Sequence, residues 1–469
     1  MKKNKLKAIY LLPLLVLMVF TSCSDDKLEP TLSQDLTVET SVNKYEDLRL
    51  LLNGAYDYAS NYRYQGRNAI IFGEVRADNV FANANSGRFI DVAQMKMTVN
   101  NGDASDFYRY AYKVIANTNI VISASGISGD EAMIKYAKGE ALALRALSHF
   151  DLLRVFGQQH VAGQGGLNAP GIVYTKEFKS SNLFPSRSTV AEVKKFIYED
   201  LDAALALMNP SLNDGSKFTI STDAVYAIKS RVATYFGDAD IAKVACEAII
   251  SKYSIASRDV FASTYLPGNA APNSIFELAQ YPVDNNGING LANIYTGPAY
   301  GDIQVLDEFV ANAGFDSDDI RSSTSMIRTV SGKVRNVGKY PTLGAGAYAD
   351  NIKIIRYEEV VLNYAESLLA SNPAEALKQL NRIVSNRETT PNLYTAATLD
   401  NILAERRKEL CFEGFRFDDL ARTGKKIPVI NTVAQTHGGP AYGSYNFAFP
   451  IPQVEINANV NVNQNFGYN

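Results

Sequence analysis

The stretch ERRKELCFEGFRFDDLAR, Glu405–Arg422, sets seven charged side chains and one thiol within its first thirteen residues. Wound as a helix, it places Glu405, Glu409 and Glu413 on one face, one turn apart, while Arg406, Leu410 and Phe412 point elsewhere. Glu405 with Lys408, or Arg406 with Glu409, has i,i+3 spacing, and such pairs stabilise an exposed helix by only about 0.2–0.5 kcal/mol. Partly buried, Arg406, Glu409, Arg416 and Asp419 would instead lock the helix to its neighbours through bidentate bonds. Paired carboxyls also serve glycoside hydrolysis, where they stand about 5–10 Å apart across a sugar ring. Side chains one turn apart point the same way and cannot flank a substrate, so no catalytic role is assigned. Cys411 has no histidine nearby and reads as core packing. The stretch is therefore structural, with Gly414 ending the helix and Phe415 and Phe417 docking the turn beyond it.

Elsewhere the helical period dominates. TVAEVKKFIYEDLDAALALM, Thr189–Met208, repeats apolar side chains at Val193, Phe196, Ile197, Leu201, Ala204, Leu205 and Met208. Thr189 and Glu192 have the spacing of a capping box. Ile354, Tyr357, Val361, Tyr364, Ala365 and Leu368 form a second stripe. Asn372-Pro373-Ala374-Glu375 then supplies a cap, a proline at the first helical position and an acid in the first turn. Lys353–Asn386 thus reads as a helical hairpin of 34 residues, the length of one tetratricopeptide unit. Thr222–Tyr253 reads alike, around a turn at Gly237-Asp238. A further helix, Asp130–Phe156, carries the small residues Ala137, Ala141, Ala143 and Ala146 and stops at Gly157. By contrast, segments 70–103 and 265–349 are rich in Gly, Asn, Ser and Pro and lack a period. Irregular segments beyond about 15 residues are usually functional or disordered, and the rings and amides in these point to function. The expected fold class is mainly α: helical hairpins form a scaffold that carries a large loop-rich, irregular ligand-binding region.

The chain has 469 residues, 46% of them hydrophobic, and a formal charge of −3. Lys2, Lys3, Lys5 and Lys7 fall in a segment expected to be removed; without them 42 basic side chains face 49 acidic ones. With acidic side chains in excess, the chain does not have the charge of a polyanion-binding protein, and nucleic acid is not expected as a partner. Cys23, Cys246 and Cys411 are too few for a disulfide framework. His149, His160 and His437 lack the spacing of a zinc or iron site, so neither metal nor cofactor is expected. Asp316, Asp318 and Asp319 read as a solvated turn, His149 and Cys246 as core residues. Tryptophan is absent, against 27 tyrosines and 22 phenylalanines.

MKKNKLKAIYLLPLLVLMVFTSCSDDKLEP opens the chain with a basic run and an apolar run, Ala8 to Phe20, too short to span a bilayer comfortably. It reads as a secretory signal over residues 1–22. The small residue before Cys23 resembles a bacterial lipobox, in which that cysteine is acylated; Ser22 stands where Gly or Ala is usual. Each acyl CH₂ that is buried contributes about 0.8 kcal/mol, so several chains anchor a soluble domain without a membrane helix. Ser24-Asp25-Asp26 is similar to the short signal that sends lipoproteins of Bacteroidota to the outer leaflet. Residues 23–34 then form a flexible tether, leaving 35–469 as one domain.

Four segments together resemble the SusD/RagB family of outer-membrane nutrient-binding lipoproteins: GEALALRALSHFDLLRVFG (Gly139–Gly157), ERRKELCFEGFRFDDLARTGK (Glu405–Lys425), FAFPIPQVEINANVNVNQNFGY (Phe447–Tyr468) and, more weakly, LLNGAYDYAS near Leu51. Phe417 stands where the family commonly has tryptophan. The resemblance implies four tetratricopeptide-like hairpins on one side and a variable loop-rich region on the other. It also implies a partner, a SusC-like TonB-dependent outer-membrane barrel over which the lipoprotein sits as a hinged lid. Most members bind glycans, the RagB branch binds peptides, and no enzymatic activity is expected.

Sugars present apolar C–H faces beside hydroxyls, so their sites combine aromatic rings with planar amide, carboxylate or guanidinium groups. RADNVFANANSGRF, Arg76–Phe89, offers Asp78, Asn79, Phe81, Asn83, Asn85 and Arg88; by its place after the first helices it resembles one wall of the family's site. YPVDNNGINGLANIYTGPAYGD, Tyr281–Asp302, offers Tyr281, Asn285, Asn286, Tyr295 and Tyr300.

Overall fold

The computed structural model describes residues 42–468, save 268–270, 298 and 343–347. Cys23, the signal segment and the tether lie outside the described residues. The helices that build the scaffold are α1 (Tyr45–Ser60), α2 (Asn68–Val75), α3 (Gly102–Ser123), α4 (Glu131–Phe156), α5 (Val190–Leu207), α6 (Thr222–Phe236), α7 (Ala239–Glu247), α8 (Tyr357–Ser367), α9 (Pro373–Val384), α10 (Leu399–Glu409) and α11 (Arg416–Arg422). Eight of these helices pack in four pairs, α1 with α3, α4 with α5, α6 with α7 and α8 with α9, and each pair stacks on the next. The protein is mainly α, as the periodicity requires. No described helix is long and apolar enough to cross a membrane.

Local chemistry sets the helix ends. Thr189 and Glu192 form the expected capping box at the start of α5. Asp130 accepts from two backbone N–H groups at the start of α4, and Asn372 from Glu375 at the start of α9. Gly237 closes α6 with φ 73°, a left-handed conformation that glycine takes without a Cβ clash. α4 approaches α5 closely at Gly139: a Cβ there would stand 2.4 Å from Met208 Cγ and 3.0 Å from Ala204 O, so glycine lets the helices come this close. The C-terminal asparagines bond to main-chain carbonyls, with Asn465 Nδ2 reaching Phe156 O and Phe449 O.

Three boundaries differ from expectation. Residues 70–75 belong to helix α2, in which every residue except Ala69 is buried. Buried on all sides, Asn68 and Glu74 included, it shows no amphipathic stripe for a periodicity to reveal. Residues 352–356 form a strand, whose β-branched isoleucines favour it; Lys353 there reaches Glu277 on the neighbouring strand at 2.8 Å. The helix of the opening stretch ends at Glu409, four residues earlier than its acid pattern implies. Lys339 Nζ crosses from the loop region to cap the Glu409 and Cys411 carbonyls, which ends the helix. Gly414, at φ 89°, lies in the turn that follows and backs directly onto Gly73.

Strands β1 (Val80–Ala82), β2 (Ser274–Leu278), β3 (Ile303–Val305), β4 (Ile327–Val330), β5 (Lys333–Asn336) and β6 (Ile352–Arg356) make three two-stranded antiparallel pairs: β1 with β3, β2 with β6 and β4 with β5. They give the 265–349 insertion its order. Phe417 is buried beneath the guanidinium of Arg76, 3.6 Å from its ring centroid, and so keeps an aromatic role.

The charges of the opening stretch are buried and paired. Glu409 Oε1 accepts from Arg356 and Arg387, and its Oε2 from Arg387 and Arg321. Glu405 accepts from Arg321, with Lys408 at 2.8 Å; Glu413 accepts from Arg356 and Lys339. With Glu358 and Asp319, five acids balance the five bases Arg321, Lys339, Arg356, Arg387 and Lys408. Arg406 pairs with Asp419, and Arg416 takes Asp78. The stretch is structural.

Burial alone would raise the Glu409 carboxyl, but the Arg387 and Arg356 guanidiniums hold it well below the usual carboxylate range. A carboxyl with a depressed folded value stabilises the fold above its unfolded value, about 4.3, and loses that contribution as pH falls below it. Stability measured by urea unfolding should therefore decline steadily below about pH 4.3. Glu409→Gln should cost roughly 3–5 kcal/mol at neutral pH, because three guanidiniums lose their shared charge, and its acid decline should be shallower. A variant as stable as the parent would contradict this account.

Candidate functional site

The two loop segments that carry the expected ligand contacts meet in space. Val80, Phe81 and Ala82 of β1 lie opposite Val305, Gln304 and Ile303 of β3. Beyond this ladder, side chains continue the join. Asn83 Nδ2 donates to Gly301 O at 2.9 Å and Asn85 Nδ2 to Tyr300 O at 2.5 Å. Ser86 donates from both its backbone N–H and its hydroxyl to the buried carboxylate of Asp302. Arg88 then lays its guanidinium 3.7 Å from the centroid of the Tyr300 ring. Phe81, Asn83, Arg88 and Tyr300 thus share one region, although more than 200 residues separate the segments.

A second group joins it from the end of α1, the turn after it and the first half of α3. The Tyr62 ring has Arg63 at 4.4 Å and Arg67 at 4.6 Å; Arg67 also stands 5.0 Å over Phe89, next to Arg88. Arg63 lies over Tyr110 and bonds to Asp106 at 3.0 Å, while Lys113 stands between Tyr58 and Tyr110. Burial pushes the Arg67 guanidinium down to about 10 against the pull of Asp103, which lies 3.6 Å away. Half-buried rings beside guanidinium and amide groups are the chemistry that grips the alternating apolar and polar faces of a sugar chain.

Asn286 holds this surface from behind. It accepts from Tyr62 N–H at 2.8 Å and donates to Ser60 O at 2.8 Å, pinning the turn after α1 to the 281–289 loop. Its contribution is positional. Tyr281, on the same loop, has 52% of its surface exposed.

Three expected contacts are placed elsewhere. Tyr295 is fully buried, stacked parallel to Tyr340 and edge-on to Phe412, so its ring is core. Asp78 is buried because it answers two guanidiniums, Arg416 at 2.6 Å and Arg407 at 2.9 Å. Asn79, also buried, accepts from Arg407 Nε and bonds to Glu74. Both residues precede β1 and fasten it to α10 and α11, out of reach of a ligand.

The sequence reading passed over Tyr58, Tyr62, Arg63, Arg67, Tyr110 and Lys113. Their signal was the alternation of Tyr with Arg or Lys in NYRYQGR, Asn61–Arg67, and YRYAYK, Tyr108–Lys113.

The remaining candidates are structural. His149 is fully buried; its Nδ1 donates to Arg145 O and its Nε2 accepts from Thr175 N–H, a neutral tautomer that burial favours by pushing the imidazole well below its usual range. Burial pushes the Cys411 thiol up to about 12, and Cys246 is likewise buried. Asp318 caps Thr389 and Thr390, Asp319 pairs with Arg321, and among the described residues no acid, histidine or cysteine cluster could hold a metal ion.

Two family models match the chain: residues 26–234 match one described as starch-binding associating with outer membrane, and residues 300–468 match the SusD family model. SusD-like protein P38 of Formosa agariphila is 24% identical over 92% of this chain and 94% of its own length. A SusD superfamily protein of Bacteroides thetaiotaomicron is 28% identical, with TM-score 0.82 over 90% of this chain and 99% of its own. A candidate sugar-binding protein of Bacteroides vulgatus is 27% identical, with TM-score 0.83 over 92% of this chain and all of its own. In sequence along most of its length, and in fold, the chain belongs to the SusD family.

Proposed function

We propose that this protein is a cell-surface lipoprotein, held to the outer membrane through acylated Cys23, that binds oligosaccharides and delivers them to a SusC-like TonB-dependent barrel. Residues 1–22 serve as its signal and 23–34 as its tether. The observation that carries the binding reading is the surface to which Tyr62, Arg63, Arg88 and Tyr300 come from separate segments, with the buried Arg67 guanidinium supporting the Tyr62 ring from beneath. The description of the family model and the sugar-binding assignment of the B. vulgatus relative support the same ligand class. The protein captures and hands over its ligand without cleaving it, consistent with a family of binding proteins.

Calorimetry against a panel of glucan, xylan and mannan oligosaccharides, with peptides alongside, tests the reading. One oligosaccharide class should bind without release of reducing ends. Tyr62→Ala and Tyr300→Ala should each weaken it at least fivefold, roughly 1 kcal/mol. Binding of peptides alone would replace the glycan with a RagB-type peptide ligand.

The loop that presents Arg88 depends on Asp302. Asp302→Ala should raise amide hydrogen exchange across residues 83–88 while α4 and α5 stay protected, and should weaken the same ligand. Unchanged exchange in that loop would show that something other than Asp302 holds it.

A further inference from the structure

Away from the aromatic surface, α10 and α11 enclose a cavity of about 500 Å³ together with the residues after the short helix Asp307–Asn312 and the segment 425–428. That volume lies within the range of small-molecule sites. Leu403, Ala404, Leu420 and Pro428 give it apolar walls. Its charged lining is one-sided: Arg407, Arg416, Lys425 and Lys426 face two carboxylates, Asp400 and Asp419, on a chain whose formal charge is negative.

The carboxylates do not use up those cations. Asp419 is answered from beneath by Arg406 and Arg422, at 2.9 and 2.8 Å. Asp400, largely exposed, holds Lys425 alone; such a pair is worth little and opens readily in water. Arg407 and Arg416 share a single acid, Asp78. Arg416 spends Nε and Nη2 on it, and Arg407 spends Nε on Asn79 and Nη2 on Asp78. The Nη1 group of each arginine has no hydrogen-bond acceptor among the described residues, and Lys426 has no ion-pair partner there. Burial pushes the Arg407 guanidinium down to about 10, with Asp78 opposing that fall and Arg416 adding to it. One more negative charge at this place would meet guanidinium donors that the described residues leave without an acceptor and would relieve the repulsion between the two arginines.

We propose that this cavity is a second binding site, which takes one carboxylate or sulfate group carried on a sugar-sized molecule. The oxyanion sits against the open Nη1 groups and Lys426, and the apolar face of the carrier lies on Leu403, Leu420 and Pro428. The site is separate from the aromatic surface and stands whether or not that surface binds neutral glycans.

Calorimetry on the purified full-length protein, with galacturonic acid, galactose 6-sulfate, galactose and inorganic sulfate as probes, tests it. At least one of the two charged sugars should bind and galactose should not; which charged sugar binds distinguishes carboxylate from sulfate. Affinity should fall as salt rises from about 50 to about 300 mM. Lys426→Glu, a change at an exposed position, should weaken binding about tenfold, whereas Tyr62→Ala should leave it unchanged. Arg407→Gln should abolish it; if that variant fails to fold, Lys426→Glu decides. Charged sugars binding no better than galactose would overturn the proposal. So would indifference to Lys426→Glu, or loss on Tyr62→Ala, which would move the binding to the aromatic surface. Inorganic sulfate binding as tightly as galactose 6-sulfate would reduce the cavity to a site for an adventitious ion only.

Discussion

Three arginines from three separate segments converge on the carboxylate of Glu409, and the rest of the molecule is arranged to keep that group charged and dry. Arg321 comes from the loop-rich insertion, Arg356 from the end of β6 and Arg387 from the residues after α9. Withdrawing an ion from water costs several kcal/mol, and attraction offsets this only where the lone pairs are satisfied. Both oxygens of Glu409 accept two charged N–H groups, and the wider cluster of five acids and five bases is neutral. Hydrogen bonds of this kind are directional. They fix where each segment must lie, which an apolar contact of similar size does less strictly.

That constraint matters most for the insertion. Residues 265–349 lack an amphipathic period, so apolar burial alone does not dictate how they dock on the helices. Arg321 and Lys339 dock them through charge, on Glu405, Glu409 and Glu413. Once the insertion is docked, β3 stands beside β1, and the loops beyond both strands are brought into register. The aromatic surface is thus downstream of a charge cluster with which it shares no residue. The turn after α1 closes the surface from the other side through Asn286.

Asp78 and Asn79 connect the two regions of chemistry. They precede β1, whose far end leads to Arg88 and the aromatic surface. They also hold Arg407 and Arg416, two of the residues that line the basic cavity. As an acid and an amide in a loop-rich segment they suggested ligand contact, yet their burial makes them fasteners. A buried acid needs its counter-charges, and here two arginines meet that need at once.

Much of the scaffold was legible in the sequence because helix periodicity, caps and glycine stops act between residues close along the chain. Thr189 with Glu192, Asp130, Asn372-Pro373 and Gly237 all do in the structure what their local pattern requires. Helix α2 was illegible because it is buried on every side, and the end of α10 because the lysine that caps it lies 70 residues away. The site divided in the same manner. Composition alone pointed to loops rich in rings and amides, and Arg88 with Tyr300 follows that pattern. Whether a given tyrosine faces solvent, as Tyr281 does, or packs into the core, as Tyr295 does, depends on neighbours far away in sequence. The sequence by itself determined the helices and the residue types available for binding, since both rest on nearest-neighbour chemistry. Only the tertiary structure decided which of those residues are exposed, because exposure follows from the buried ion pairs that fold distant segments together.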